Sequence, residues 1–126
     1  MAGASEEGQV IGCHTIEAWT EQLQKGNDSK KLVGINQLIV VDFTASWCGP
    51  CRFISPFLAE LAKKYGNVIF LKVDVDELKS VAEDYAVEAM PTFVFVKEGT
   101  LLGRVVGAKK EELQQTIEKH VSAASA

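Results

Sequence analysis

Apolar residues recur along this chain in two rhythms. Short runs rich in β-branched and aromatic side chains occur at Val10–Cys13, Leu38–Phe43, Val68–Val73, Thr92–Val96 and Leu101–Val106. Runs of this length and composition predict buried strands. Between them, apolar positions fall three or four apart: Ile16, Trp19 and Leu23; then Ile54, Phe57, Leu58, Leu61, Ala62 and Tyr65; then Leu113, Ile117 and Val121. That spacing predicts amphipathic helices, with a short further helix over Leu78–Tyr85. Thr15 is placed to cap the first helix and Gly26 to end it, leaving 26–31 as a polar loop. The second helical stretch, Phe53–Tyr65, is stopped by Gly66 and contains Pro56, which is expected to kink it. Lys97-Glu-Gly-Thr100 reads as a hairpin between the last two strands. Glu111 and Glu112 open the last helix, and Lys119 with His120 suit its C-terminus. Leu32–Gln37 fits either an extended edge or a wider loop. The order β-α-β-α-β-α-β-β-α predicts an α/β fold, with helices on both faces of a mixed five-stranded sheet.

The chemistry concentrates where the second strand meets the second helix, at Trp47-Cys48-Gly49-Pro50-Cys51. Cys48 would sit at the helix N-terminus, where free backbone N–H groups and the helix dipole favour an anion. Such a location lowers a thiol's pKa, and the thiolate is the form that attacks disulfides. Cys51 lies one turn further on, within reach of Cys48 and expected to be the less exposed of the two. Pro50 has no N–H to lose in a first helical turn. A structural zinc site would need two more ligands, and Cys13 with His14 are the nominal suppliers. Adjacent residues on a strand point to opposite faces, so those two do not easily converge on one ion. A redox dithiol is the better reading of the pair.

The motifs Phe43-Thr-Ala-Ser-Trp-Cys-Gly-Pro-Cys51, Val73-Asp-Val-Asp-Glu-Leu78 and Val87-Glu-Ala-Met-Pro-Thr-Phe93 resemble the thioredoxin family. Within it they are similar to the plant cytosolic h-type, over about Val10 to Val121. The resemblance implies a thioredoxin domain over 10–122, with tails at 1–9 and 123–126. It implies a protein disulfide reductase in which Cys48 is the nucleophile, Cys51 resolves, and Gly49 and Pro50 shape the loop. Electrons would come from an NADPH-dependent thioredoxin reductase. The chain itself would bind no cofactor and no metal, and its substrates would be diverse disulfide-containing proteins. Thr44 stands where many bacterial members carry a second tryptophan, so their fluorescence behaviour does not transfer.

Further positions gain meaning from that likeness. Asp42 interrupts the most apolar run of the chain. Read alone, it is either a strand-end residue satisfied by water or a buried acid with a raised pKa. The resemblance implies the second, a proton relay to Cys51, with Lys72 nearby in support. Pro91 read alone is an ordinary strand-starting proline; the resemblance implies a cis bond after Met90. Met90, Pro91, Gly107 and Trp47 would then form a small apolar substrate surface beside the thiols, while Trp19 serves as helix packing and Gly99 as a turn residue. Cys13 reads as a small buried hydrophobe or, in the alternative, as an exposed thiol able to link two monomers under oxidants.

Composition narrows the classes that remain. The chain has 126 residues and a formal charge of −4, which argues against nucleic acid and anionic membrane as partners. No apolar run approaches bilayer length. Met1-Ala-Gly-Ala-Ser-Glu-Glu-Gly8 has no apolar segment and carries two acids, so neither a secretory nor an organellar signal is expected. Three cysteines do not make a disulfide scaffold, and the expected setting is the cytoplasm. Asp74, Asp76 and Glu77 faintly resemble a calcium loop, but Leu78 and Tyr85 occupy positions where that loop needs oxygen ligands. A rival reading is a binding module that holds partners without turnover; the presence of both thiols together with Asp42 disfavours it.

Overall fold

A computed structural model describes residues 9–33 and 37–125. Nine elements follow in order: β1 (Val10–Cys13), α1 (Ile16–Val33), β2 (Leu38–Thr44), α2 (Gly49–Lys64), β3 (Ile69–Asp74), α3 (Lys79–Asp84), β4 (Thr92–Lys97), β5 (Thr100–Val106) and α4 (Lys110–Ser125). The strands form one sheet in the order β1-β3-β2-β4-β5. β3 pairs in parallel with β1 and β2, whereas β4 runs antiparallel to β2 and to β5. The sheet is therefore mixed, with the Leu38–Thr44 strand at its centre.

The central strand explains why two cores exist. Successive side chains on a strand alternate between faces. Leu38 and Val40 join Ile54, Leu58, Phe70, Phe93, Leu113 and Ile117 in the layer beneath α2 and α4. Ile39, Val41 and Phe43 join Trp19, Leu71, Val73, Val81 and Val94 beneath α1 and α3. An element buried on both faces must be apolar at nearly every position, as this one is. Asp42 shares the parity of Val40, so it faces the layer that α2 covers.

Two boundaries differ from the sequence reading. Thr15 does cap α1, its Oγ1 accepting from the Ala18 N–H at 3.0 Å. The helix does not end at Gly26, however, and the expected polar loop at 26–31 is helical up to Val33. Gly26 serves a close approach: a Cβ there would lie 2.7 Å from Ile39 Cδ1 and 3.0 Å from Ile69 Cδ1. Leu32 and Val33 thus belong to α1, while residues 34–36 of the awkward segment lie outside the described residues. The expected tail at 1–9 also lies outside them, Gln9 excepted. At the other end α4 continues to Ser125, through most of the stretch expected as a second tail.

The hairpin is tighter than read. Lys97 and Thr100 pair directly, and Glu98 and Gly99 both have φ above zero, at 53° and 78°. Two consecutive left-handed residues make the hairpin turn whose twist matches the flanking strands.

Candidate active site

Cys48 occupies the N-cap of α2 with extended backbone, φ −92° and ψ 112°. The Sγ of this residue accepts the backbone N–H of Cys51 at 3.2 Å, so sulfur does what a serine oxygen commonly does at this position. Pro50 falls in the first turn, and Arg52 anchors the approach by donating to the Ser46 carbonyl at 2.8 Å. Cys48 and Cys51 are joined in a disulfide with their Cα atoms 5.3 Å apart. In this oxidised state the two cysteines are 5% and 6% exposed, so the expectation that Cys51 is the more hidden is not met. Gly49, by contrast, is exposed, and a Cβ there would meet nothing within 4 Å. The rim beside the sulfurs is bare.

The opposite wall comes from the segment before β4. The Met90–Pro91 peptide bond is cis. The Met90 carbonyl oxygen lies 3.6 Å from Cys48 Sγ, and Met90 packs on a small cluster of Ala45, Cys48 and Cys51. The Pro91 carbonyl accepts from the Gly107 N–H at 2.8 Å, joining the end of β5 to this wall. Gly107 has φ +102°, a left-handed conformation that glycine reaches at no steric cost.

Trp47 is 64% exposed and flanks the disulfide. Its Nε1–H donates to Asp76 Oδ2 at 2.9 Å, while the Asp76 N–H donates to Asp74 Oδ1. The ring is thereby fixed although solvent covers most of it. Sequence reasoning missed this use of Asp76, and no local signal would have found it, because the two residues are 29 apart in the chain. Trp19 packs as expected, buried and edge-on to Tyr85 with ring centroids 5.9 Å apart.

In the central strand, Asp42 is 3% exposed and stands directly opposite Lys72 in the β2–β3 register. Its Oδ1 has no protein hydrogen-bond partner among the described residues. Burial pushes the carboxyl up from 3.8 to about 7, with the Lys72 charge pulling in the other direction. Lys72 and Cys51 both line an open cavity of about 310 Å³, together with Thr44, Ala45, Arg52 and Ser55. Asp42 is linked to this group through Lys72, which stands opposite it in the sheet and lines the cavity together with Cys51.

Cys13 is far from this group in character. It is 1% exposed in the layer beneath α1 and α3, and burial pushes its thiol up to about 11. The alternative of an exposed linking thiol is thus corrected: the β1 backbone turns this side chain inward.

A family model described as Thioredoxin matches residues 13–119. The chain is 74% identical to a Thioredoxin H-type of Ricinus communis over 122 residues, covering 97% of this chain and 98% of that one. It is 71% identical to Thioredoxin H1 of Arabidopsis thaliana, covering 94% and 99%. Among solved structures, the thioredoxin of Nicotiana alata superposes with a TM-score of 0.82 at 44% identity, covering 91% of this chain and 95% of that one. With a Cys-Gly-Pro-Cys disulfide at the N-cap of α2 and these likenesses over nearly its whole length, the chain belongs to the thioredoxin family, as a plant h-type member.

Proposed function

We propose that this thiol–disulfide oxidoreductase works by the sequential use of Cys48 and Cys51, with Asp42 moving the proton of the second step. In the reduced protein the Cys48 thiolate attacks one sulfur of a target disulfide. A Cys48–target disulfide forms and the other target sulfur leaves as a thiolate. Cys51 then loses its proton and attacks Cys48 Sγ, closing the internal disulfide and releasing the second target thiol. Two electrons pass to the target, and the redox group is the chain's own cysteine pair.

The observation that carries this reading is the Cys51 N–H donated to Cys48 Sγ at the start of α2. A donor aimed at that sulfur, together with the helix N-terminus, favours the anion needed to attack and to leave. Asp42, half-ionised near neutral pH, suits proton exchange with Cys51 far better than an exposed aspartate would. Lys72 tempers the acid's rise. Gly49 keeps the rim open and Pro50 suits the first turn. Trp47, Met90, Pro91 and Gly107 supply the docking surface for an extended target segment.

Within this proposal the working unit is the domain over 10–122, acting as a monomer in the cytoplasm. Electrons come from an NADPH-dependent thioredoxin reductase and pass to diverse disulfide-containing proteins. Among the described residues no helix is long and apolar enough to cross a membrane. The test is NADPH oxidation in the presence of thioredoxin reductase and a disulfide-bonded model protein. Sustained turnover supports the proposal; no turnover with the Cys48–Cys51 pair intact would instead favour a binding module.

A further inference from the structure

The segment that ends in Met90 begins at an uncomfortable helix end. α3 closes with the Val87 N–H bonded to the Ala82 carbonyl and the Ala86 N–H to the Glu83 carbonyl. This is the closing pattern in which the residue after the C-cap turns left-handed, a place usually held by glycine. Here Ala86 holds it, with φ +53°. An alanine carries a Cβ into a region that sterically disfavours it, so something outside the helix must keep it there.

Arg104 is that outside contact. It lies on β5 opposite Val94, on the sheet face away from buried Val105. Its guanidinium spans from the edge strand to the end of α3. Nη2 donates to the Tyr85 carbonyl at 2.6 Å and Nη1 to the Ala86 carbonyl at 3.3 Å. Carbonyls at a helix C-terminus lack intrahelical donors and carry the negative end of the dipole, so a forked cation fits both needs. Beyond Ala86 the segment is fixed again at its far end. Thr92 Oγ1 donates to the Ala89 carbonyl at 2.6 Å, and the Gly107 N–H to the Pro91 carbonyl. Met90, whose carbonyl faces Cys48 Sγ, is suspended between these two anchors.

We infer that Arg104 is a positioning residue for target recognition: by clamping the Tyr85 and Ala86 carbonyls it sets the 86–91 segment at the height at which Met90 and Pro91 receive a target peptide. The inference rests on the reading of Met90 and Pro91 as the docking surface. Arg104 itself touches neither the thiols nor the target. Its loss affects targets that lie along the segment and spares small disulfides that need only reach Cys48.

The test compares single turnovers of pre-reduced wild type, Arg104→Met, Arg104→Lys, Ala86→Gly/Arg104→Met and Met90→Asp. Each is mixed with rising concentrations of an oxidised model protein and, separately, with bis(2-hydroxyethyl) disulfide. For Arg104→Met, the half-saturating concentration of the protein target should rise about fivefold or more, well inside the hundredfold that misplacement by an ångström can cost. Its maximal rate and its rate with the small disulfide should stay within about twofold of wild type. Arg104→Lys keeps the charge but not the fork and should be intermediate. Glycine at 86 removes the Cβ conflict, so the double variant should recover at least half of the lost affinity. A merely structural arginine would shift the melting temperature without this split between the two substrates. Half-saturation unchanged in Arg104→Met but raised in Met90→Asp would overturn the role of Arg104 alone. Half-saturation unchanged in Met90→Asp as well would overturn the docking surface itself. Should Arg104→Met not fold, wild-type behaviour in Arg104→Lys, with one carbonyl released, would likewise count against the clamp.

Discussion

The Cys51 amide donates its hydrogen bond to Cys48 Sγ across 3.2 Å within the oxidised pair. Cys51 thus presents a donor that would steady charge on Cys48 Sγ once the disulfide is opened, and Cys48 caps the helix that carries Cys51. Gly49 leaves the rim beside the pair bare, and Cys51 borders the cavity that it shares with Lys72.

Asp42 should govern the second chemical step and the pH dependence of stability together. Between pH 3.8 and about 7 the folded protein keeps a proton that the unfolded chain has released. The folded state then binds more protons, so stability is greatest below that range, falls as pH rises through it, and levels off above about 7, a loss of about 4 kcal/mol at most. Asp42→Asn should flatten this slope in denaturant titrations from pH 4 to 8. It should also slow resolution of the mixed disulfide by roughly 10²-fold while leaving the first attack nearly unchanged. Equal resolving rates in both proteins across that range would reduce Asp42 to a structural residue.

Cys13 should stand outside the cycle. Its burial and its thiol held near 11 leave almost no thiolate at neutral pH. In the reduced protein it should be the last cysteine alkylated by iodoacetamide, and Cys13→Ser should retain full turnover. The serine hydroxyl enters an apolar layer, so a stability loss of about 1–3 kcal/mol is expected in thermal melts. Alkylation of Cys13 at the rate of Cys48 would contradict its placement.

Gly26→Ala sets helix propensity against packing. In an exposed helix interior alanine would stabilise by about 1 kcal/mol. Here the new methyl meets Ile39, fully buried in the sheet, and Ile69. Overpacking of this kind costs about 1–3 kcal/mol, so the variant should melt lower than wild type. A higher melting temperature would show that the α1–sheet contact yields freely.

That same glycine marks the boundary of what the chain's pattern reveals. Leu38–Phe43, the helix after the thiols and the hairpin were legible because their signals are local: alternation, 3.6-residue spacing and turn residues lie within a few positions of one another. The thiol pair was legible for the same reason. Gly26 was misread because its meaning lies across the fold, in Ile39 and Ile69. The bond from Trp47 to Asp76 and the clamp of Arg104 on Tyr85 and Ala86 escaped likewise, since each joins elements that only the folded sheet brings together. Asp42 was an intermediate case: its apolar neighbours announced burial, whereas the nearness of Lys72 came only with the family resemblance and rests on strand register.

Trapping tests most directly whether Cys48 attacks and Cys51 resolves. Reduced Cys48→Ser and Cys51→Ser variants are each mixed with an oxidised model protein, and the products are mapped by mass spectrometry under non-reducing conditions. Cys51→Ser should accumulate a disulfide between Cys48 and the target, and Cys48→Ser should give no adduct and no turnover. An adduct formed on Cys51 in Cys48→Ser, with none on Cys48 in Cys51→Ser, would reverse the assignment.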